Sequence, residues 1–546
     1  MRTPPRIERP QTHGNQQFQI LKFLKTPLGE GVFLLLVFIF AVLVRRIGLK
    51  FGYPFLTHPD EWAIVEPAYL MTTNQTLDSG YFMRPNQITQ LLNFFYLNAL
   101  SLIKTGANLA TTFPLNEFSY YFASRWLIVI LGALIPMVAY KIGKESKVDF
   151  SIPAALLFAF FPSFVQHSHY VTPDIPITLF TLLVIFFSVR YVRLSNIKYL
   201  YLATLFAAIN TAEKYPGLLS FGIIIFAIVW IQKEKYKTKP LLMLKRIVVE
   251  SLKFFGLYLI LLYMIAPNLF INYGNVIQHL KTESRSIHLG ADGLSWGGNL
   301  LYYIQVFCSN TNLIVVICAI VGIISIFVSK DYPMLFVFYG LFYWIILSKL
   351  ALHWERWALP MYTFPLLCAA VGISYLQQIF QKQKILQAAI WGIWAFSMLS
   401  LIMHSLSTSI RLSYVNTTFP AYQYCQEMNI GEENSIYDGY SPFLPGSSAS
   451  LDLSLLNDST EYIILSSNMY NRYYAEPDRY IENTNSYDRV RENHTLIKEF
   501  SATAPLAKSK ILAWADDILY YARLHSGIKQ PLRYNGPTIQ IFKVNR

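Results

Sequence analysis

The sequence predicts an α-helical multi-pass membrane protein of about 11 transmembrane helices, followed by a small α/β domain at its C-terminal end. Three observations predict it. Charged residues make up only 14% of the 546 residues, against 54% hydrophobic, whereas a soluble domain carries about 25% charged. Apolar runs near the ~20 residues needed to cross a bilayer recur through most of the chain. From about residue 410 the composition turns polar, with Asn, Ser and Tyr between short β-branched runs. The net charge of +13 would suit a nucleic-acid partner, but many Lys and Arg fall in short loops between apolar runs. That pattern is a topology signal, so no nucleic-acid partner is expected.

In chain order, residues 1–29 read as a polar, basic, cytoplasmic segment. No small-residue cleavage site follows the first apolar run, so that run is expected to stay as an anchor. Spans are placed near 30–49, 121–141, 151–167, 173–191, 199–213, 215–232, 248–268, 311–329, 333–349, 356–376 and 386–406. With the N-terminus inside, the inside loops hold Lys141, Lys144 and Lys147, then Arg190, Arg193 and Lys198. The densest follows, with Lys233, Lys235, Lys237, Lys239, Lys245 and Arg246, and Lys330, Lys382 and Lys384 complete that side. The 50–119 loop is net acidic. The positive-inside rule therefore sets this loop and the C-terminal domain outside the cytoplasmic (inner) membrane. Arg45 and Arg46 run against the pattern and are read as snorkelling from a span end.

The transmembrane part is thus 30–409, with a long first outer loop at 50–119, and the soluble part is 410–546. Within the loop, Trp62–Met71 reads as a short interfacial helix, and 86–104 as a second one or a shallow re-entrant segment. In the soluble part, strands are expected at Ser435–Tyr437, Glu461–Ser466, Thr495–Phe500 and Thr538–Val544, and helices within Arg411–Met428 and Ala504–His525. The outer loop 269–298 (Lys281, Glu283, Arg285, His288, Asp292) is long and without evident structure, as lids often are. Of the four cysteines, Cys308, Cys318 and Cys368 lie in or beside apolar runs, so no disulfide framework is visible. Neither GxGxxG nor GxxxxGKS occurs.

Four polar constellations fall at the outer ends of spans in this register: His58-Pro59-Asp60-Glu61, His167 to Pro176, Asn210 to Tyr215, and His353-Trp354-Glu355-Arg356-Trp357. Ionised groups at membrane depth are costly and usually functional. Two clusters are acidic and two carry a cation beside a Glu, which suits a substrate with an anionic phosphate and a reacting hydroxyl. Each cluster has an ordinary reading beside the functional one. Asp60, Glu61 and Asp174 could simply open helices. Lys214 could snorkel, and Arg356 could anchor at the interface between two Trp. His58, His167 and His169 could hold a divalent metal, although no rigid ligand spacing requires one.

Taken together, these residues resemble the GT-C glycosyltransferase superfamily, in particular the bacterial integral-membrane branch related to protein O-mannosyltransferases and the lipid A aminoarabinose transferase. The resemblance rests on Asp60-Glu61 after the first span and Ala123-Ser124-Arg125 opening the second. It continues through Thr172-Pro173-Asp174-Ile175-Pro176, Glu213-Lys214-Tyr215 and Arg356-Trp357-Ala358-Leu359-Pro360, and ends in Gly536-Pro537-Thr538-Ile539-Gln540. It implies transfer of a hexosyl or pentosyl group from a polyprenyl-phosphate donor to a lipid, glycan or protein acceptor on the non-cytoplasmic side, commonly with inversion. Carried over, Asp60 matches the catalytic acidic position with Glu61 its partner, and Asp174 the second acidic position. Lys214 and Arg356 match the basic positions near the lipid phosphate. His58, His169, Glu213, His353 and Arg84 are candidates for support. Where many relatives show Tyr-Pro-Pro or Tyr-Pro-Ser, this chain has Met83-Arg84-Pro85-Asn86-Gln87, which puts acceptor recognition there in doubt.

The chemistry is consistent with that set. A carboxylate can take the proton of an acceptor hydroxyl, and cations can stabilise a departing phosphate. A lipid-linked-sugar flippase also needs intramembrane charge, but calls for inverted-repeat symmetry and charges near the bilayer midplane; neither is visible. A non-catalytic envelope assembly protein leaves the polar clusters without a role.

Overall fold

The computed structural model describes residues 26–290, 294–329, 334–505 and 508–545. Most of the expected 1–29 segment, together with Asp292 and Lys330, lies outside the described residues. All eleven apolar runs are helical where described. Among the described residues, seven helices are long and apolar enough to cross a membrane: Pro27–Arg46, Glu117–Glu145, Asp174–Leu194, Tyr215–Lys235, Pro240–Ile265, Glu355–Ile379 and Lys384–Leu412. Leu313–Ser329 and Met334–Ser348 are shorter apolar helices, and Ile197–Glu213 has 17 residues. The 151–167 run is broken into Ser151–Ala159 and Pro162–His167. The break follows from Pro162, which excludes the helical region at the preceding residue; Phe161 is accordingly extended, with ψ 117°.

The helices form one apolar core that includes Val165, Leu182, Ile224, Tyr339 and Leu366. Leu313–Ser329 and Leu359–Ile379 approach so closely that a Cβ on Gly322 would lie 1.8 Å from the Cys368 carbonyl oxygen, and one on Gly372 would lie 1.9 Å from that of Cys318. Small residues permit such helix contact where lipid supplies no hydrophobic drive. The other faces stay open. Leu252, Ile260 and Met264 on Pro240–Ile265 are exposed, as lipid-facing residues are.

Two expectations are corrected. Arg45 does not snorkel: it is fully buried, donating to Ser168 Oγ and to the carbonyls of Ala41 and Ala159. The 269–298 loop is not without structure, since Asn268–Ile271 and Tyr273–Glu283 are helical and Trp296 opens a helix to Ser309. In the first long loop both expected helices are present: Trp62–Thr73 buries Ala63, Ile64, Val65 and Pro67 and packs on Gln87–Thr105.

Among the described residues the C-terminal domain has six strands: β1 (Val415–Asn416), β2 (Ser435–Tyr437), β3 (Tyr462–Ser466), β4 (Thr495–Phe500), β5 (Tyr534–Asn535) and β6 (Ile539–Lys543). β1 and β5 pair alone, while the main sheet runs β2-β3-β6-β4, parallel between β2 and β3 and antiparallel elsewhere. Helix Thr418–Glu427 starts after the last span ends at Leu412, and the last described helix is Lys510–His525; both lie within the expected ranges. Ser467–Tyr474 and Ile481–Asn493 are helices that the Asn- and Tyr-rich sequence did not suggest. Asp517 of the final helix accepts from Ser407 Oγ, Arg411 Nε and Tyr414 OH, tying this domain to the last span. Phe55 meets Phe419 and Tyr422 edge-on, so the segment leaving the first span touches the domain as well.

Candidate active site

The turn Thr57–Glu61 emerges where the first helix has ended and Trp62 opens the next. His58 stacks on Tyr170, with ring centroids 4.4 Å apart, and its Nδ1 accepts from the Asp60 backbone N–H. Burial pushes the His58 imidazole down to about 4, against the opposing pull of Glu61 and Asp60, so at neutral pH it is an uncharged acceptor that shapes the turn.

Asp60 is gripped from both sides. Arg84 Nη2 donates to Oδ1 at 3.1 Å and Arg356 Nη1 donates to Oδ2. Burial alone would raise this carboxyl, but the guanidinium groups of Arg356 and Arg84 outweigh it and hold it well below the usual carboxylate range. The group is not sealed away: Asp60, Arg84 and Arg356 side chains remain 15%, 18% and 21% exposed.

Glu61 points elsewhere. Its two oxygens receive Arg125 Nε at 2.9 Å and Nη2 at 2.7 Å, and Oε1 also accepts from the Val171 N–H. Arg125 donates in turn to the carbonyls of Leu49 and Phe51, with Phe51 stacked 3.7 Å from its guanidinium carbon. Both partners are buried to 1% or less. This is a strut between the first span's exit, the second span and the 167–176 linker. As a correction in placement, Glu61 faces the strut and not Asp60.

Asp174 opens its helix directly after Pro173, and Lys214 Nζ lies 2.6 Å from its Oδ1, both groups buried. Lys214 is therefore not a free cation here but half of an ion pair. Both members lie within electrostatic reach of Arg356. Glu213, one residue earlier, receives the backbone N–H and the hydroxyl of Thr89, and its own carbonyl accepts from the Asn86 N–H. It caps the Gln87–Thr105 helix from another segment. Tyr215 OH donates to the Phe82 carbonyl at 2.7 Å. The 213–215 cluster thereby fixes both ends of the short stretch that carries Arg84.

The histidines do not assemble a metal centre. Both ring nitrogens of His169 face carbonyls, Val165 at 2.9 Å and Ile47 at 2.8 Å, which leaves neither for a metal. His167 meets Tyr170 edge-on instead. Among the described residues, no group of three His, Cys, Asp or Glu is placed to hold an ion, which corrects the metal reading of His58, His167 and His169. His353 packs edge-on against Tyr302, while Glu355 accepts from Ser163 and Asn310.

The four sequence clusters thus meet in one place. Arg125 and Glu283 are the members that residue-by-residue reading left without a role. Glu283 stands 3.4 Å from Arg84 Nε, and His279 Nδ1 accepts from the Phe82 N–H, so the 269–298 segment braces the Arg84 stretch. Arg125 had a signal, as an ionised group inside an apolar run. Chemically, two guanidiniums converging on one exposed edge form an anion clamp, currently filled by the protein's own carboxylate.

Residues 36–279, a little under half of the chain, match the family model described as dolichyl-phosphate-mannose-protein mannosyltransferase. The match takes in Asp60, Glu61, Arg84, Asp174 and Lys214, and stops short of Arg356. Two solved structures of ArnT from Cupriavidus metallidurans are similar over 94% of this chain and 98% of theirs. The apo form has 10% identity and a TM-score of 0.47, and the form bound to undecaprenyl phosphate has 11% and 0.40. No curated protein matches the sequence.

Proposed function

We propose that this chain transfers a hexosyl or pentosyl group from a polyprenyl-phosphate carrier to an acceptor hydroxyl at the outer face of the cytoplasmic membrane. Asp60 acts as general base, and the anomeric carbon is inverted. The observation that carries this reading is Asp60 held between Arg84 and Arg356 on the partly open edge of a helical membrane bundle. The matched family's description supports it, because dolichyl-phosphate-mannose is a lipid-phosphate-linked sugar.

A carboxylate gripped by two guanidiniums is a weak base, and a general base works best when its pKa lies near the operating pH. The donor resolves the conflict. Its phosphate offers guanidinium the same planar, charge-assisted partnership as a carboxylate. As it takes Arg84 and Arg356, Asp60 loses the two charges that hold its basicity down. The base is thereby switched on by the substrate it serves.

In the transfer step the acceptor oxygen bonds to the anomeric carbon and its proton passes to Asp60. The bond from that carbon to the phosphate oxygen breaks, and the electron pair leaves with the phosphate. The carrier phosphate gains a full negative charge, which the two guanidiniums stabilise where it forms. Retention would need a second carboxylate free to act as nucleophile. Asp174 is tied to Lys214 and Glu61 to Arg125, so a single displacement with inversion is the route these residues support. Asp174 and Lys214 act as a neutral, rigid floor beside Arg356.

The test is incubation of the purified protein with a panel of radiolabelled polyprenyl-phosphate sugars and a membrane extract. The wild type should label an acceptor from one of them, and Asp60→Asn should not. Normal turnover by that variant would remove the assignment.

A further inference from the structure

Beside the catalytic turn a cavity of about 500 Å³ opens between three parts of the chain. Thr57 and Pro59 of the turn form one wall, Gly290 of the 269–298 segment a second, and the C-terminal domain supplies the rest through Tyr440, Asn468, Asn471 and Arg472. Among the described residues the lining contains no carboxylate and no large aliphatic side chain. Amide, phenol and guanidinium groups dominate it, and these recognise hydroxyl-rich ligands by hydrogen bonds.

Two backbone features show that the cavity is built rather than left over. Tyr440 adopts φ +56°, a left-handed conformation that is a genuine outlier for a bulky residue and that persists only where the surroundings impose it. Its ring is 7% exposed, and its hydroxyl accepts from Arg472 Nη2 at 3.1 Å, with the guanidinium carbon 5.2 Å from the ring centroid. Gly290 has φ +78°, and a Cβ there would lie 3.1 Å from the Arg472 side chain. The loop therefore closes on Arg472, and the arginine is oriented from both sides.

We infer that this cavity is the acceptor port, and that the acceptor it takes is a saccharide, neutral or carrying an acidic group. The inference rests on the transferase reading only for the word acceptor; the saccharide site stands on its own lining. Position and chemistry agree. The donor's lipid chain must approach from the membrane side, whereas this cavity is walled largely by the polar domain and by Thr57 and Pro59, the latter next to Asp60 in the chain. Arg472 in the lining favours an anionic sugar over a cationic one. The C-terminal domain then has a function: it presents one sugar hydroxyl to Asp60.

The experiment uses the full chain in lipid nanodiscs without donor. A neutral hexasaccharide (maltohexaose) and an acidic one (a hyaluronan hexasaccharide) are offered in turn, and binding is read by saturation-transfer NMR and by hydrogen exchange over residues 440–475. The acidic probe should bind and protect that stretch. Arg472→Gln should weaken it at least ten-fold, Asn471→Ala should weaken both probes, and Asp60→Asn should leave binding in place. Absence of binding by either saccharide would overturn the port, as would binding indifferent to Arg472 and Asn471, or displacement of the probe by a Ser/Thr-rich peptide that binds there more tightly. Donor cleavage, assayed separately, tells the two readings apart. A protein that binds saccharide through these residues but cleaves no polyprenyl-phosphate sugar keeps the site and loses the transferase reading.

Discussion

Arg356 donates to Asp60 across 296 positions of sequence, joining the start of a late membrane helix to the first turn beyond the first one. That contact, with Arg84 on the opposite oxygen, makes the carboxylate a place-holder in an anion clamp. On the proposed function it implies competition: Asp60 and the donor phosphate would seek the same two guanidiniums.

Competition yields an unusual expectation for Asp60→Asn. Transfer should fall by roughly 10²–10⁴-fold, the usual contribution of a general base. Donor affinity should be unchanged or higher, because the neutral amide no longer contests the clamp. Binding of a fluorescent polyprenyl phosphate, measured beside turnover, checks both. Weaker donor binding in this variant would mean that Asp60 holds the donor and does not compete with it.

The same competition predicts how rate depends on pH. In the donor-free protein the Asp60 carboxyl is held below the usual carboxylate range, so kcat/KM should not fall with Asp60 protonation until the pH is well below ~4. In the donor complex the arginines are engaged elsewhere, so the acid limb of kcat should lie higher than that of kcat/KM. Arg84→Gln removes one of the two charges and should raise the limb of kcat/KM by on the order of one unit. Coincident limbs in the wild type would mean that the clamp is not vacated.

Much of this was legible in the sequence. The apolar runs marked the long helices of the membrane part because a bilayer leaves the backbone few other options, but not the shorter Tyr273–Glu283 and Trp296–Ser309. The four strands at Ser435–Tyr437, Tyr462–Ser466, Thr495–Phe500 and Ile539–Lys543 stood out by their β-branched runs between turn residues. The clusters around Asp60, Asp174, Lys214 and Arg356 stood out because ionised groups are rare at that depth. What composition does not encode is partnership. Nothing local distinguishes Asp60, which meets two arginines at an open edge, from Glu61, which meets one in the interior. Nor does it separate Arg45, which donates to Ser168 and two carbonyls, from Arg46 beside it. Helices Ser467–Tyr474 and Ile481–Asn493 were hidden because Asn, Ser and Asp compete for backbone hydrogen bonds, and tertiary packing of Met469, Tyr473 and Val490 decides the outcome.

The Glu61–Arg125 strut should matter for stability more than for chemistry. Removing one partner of a buried ion pair typically costs ~3–5 kcal/mol, because the other charge stays behind unpaired. Arg125→Ala should therefore lower the unfolding temperature strongly in detergent. The double variant Glu61→Gln/Arg125→Met should lose less than the sum of the two single changes. Additive losses in a thermal-unfolding cycle would show that the two side chains are not coupled.

His58 offers a stability signature with a definite sign. Its imidazole titrates at about 4 in the folded protein, against ~6.5 in an unfolded chain. Between those values the unfolded chain binds a proton that the folded one does not, so stability falls as pH falls through that window. His58→Asn keeps an acceptor near the Asp60 N–H and removes the titration, so the wild type should lose more stability than the variant between pH 6.5 and 4.5. Parallel curves for the two proteins would place the titration elsewhere.

The clamp also depends on a residue that never reaches the substrate. Glu213 holds the Thr89 N–H and hydroxyl, and its carbonyl takes the Asn86 N–H, so it fixes the stretch from which Arg84 reaches Asp60. Glu213→Ala leaves two donors without a partner and should loosen that stretch, raising the KM for donor by about ten-fold while kcat changes less, since Asp60 itself is intact. Glu213→Gln keeps one acceptor oxygen and should fall between the two. Hydrogen exchange across residues 82–90 should quicken in the same order as KM rises. Quickened exchange with an unchanged KM would show that Arg84 finds the donor without this support.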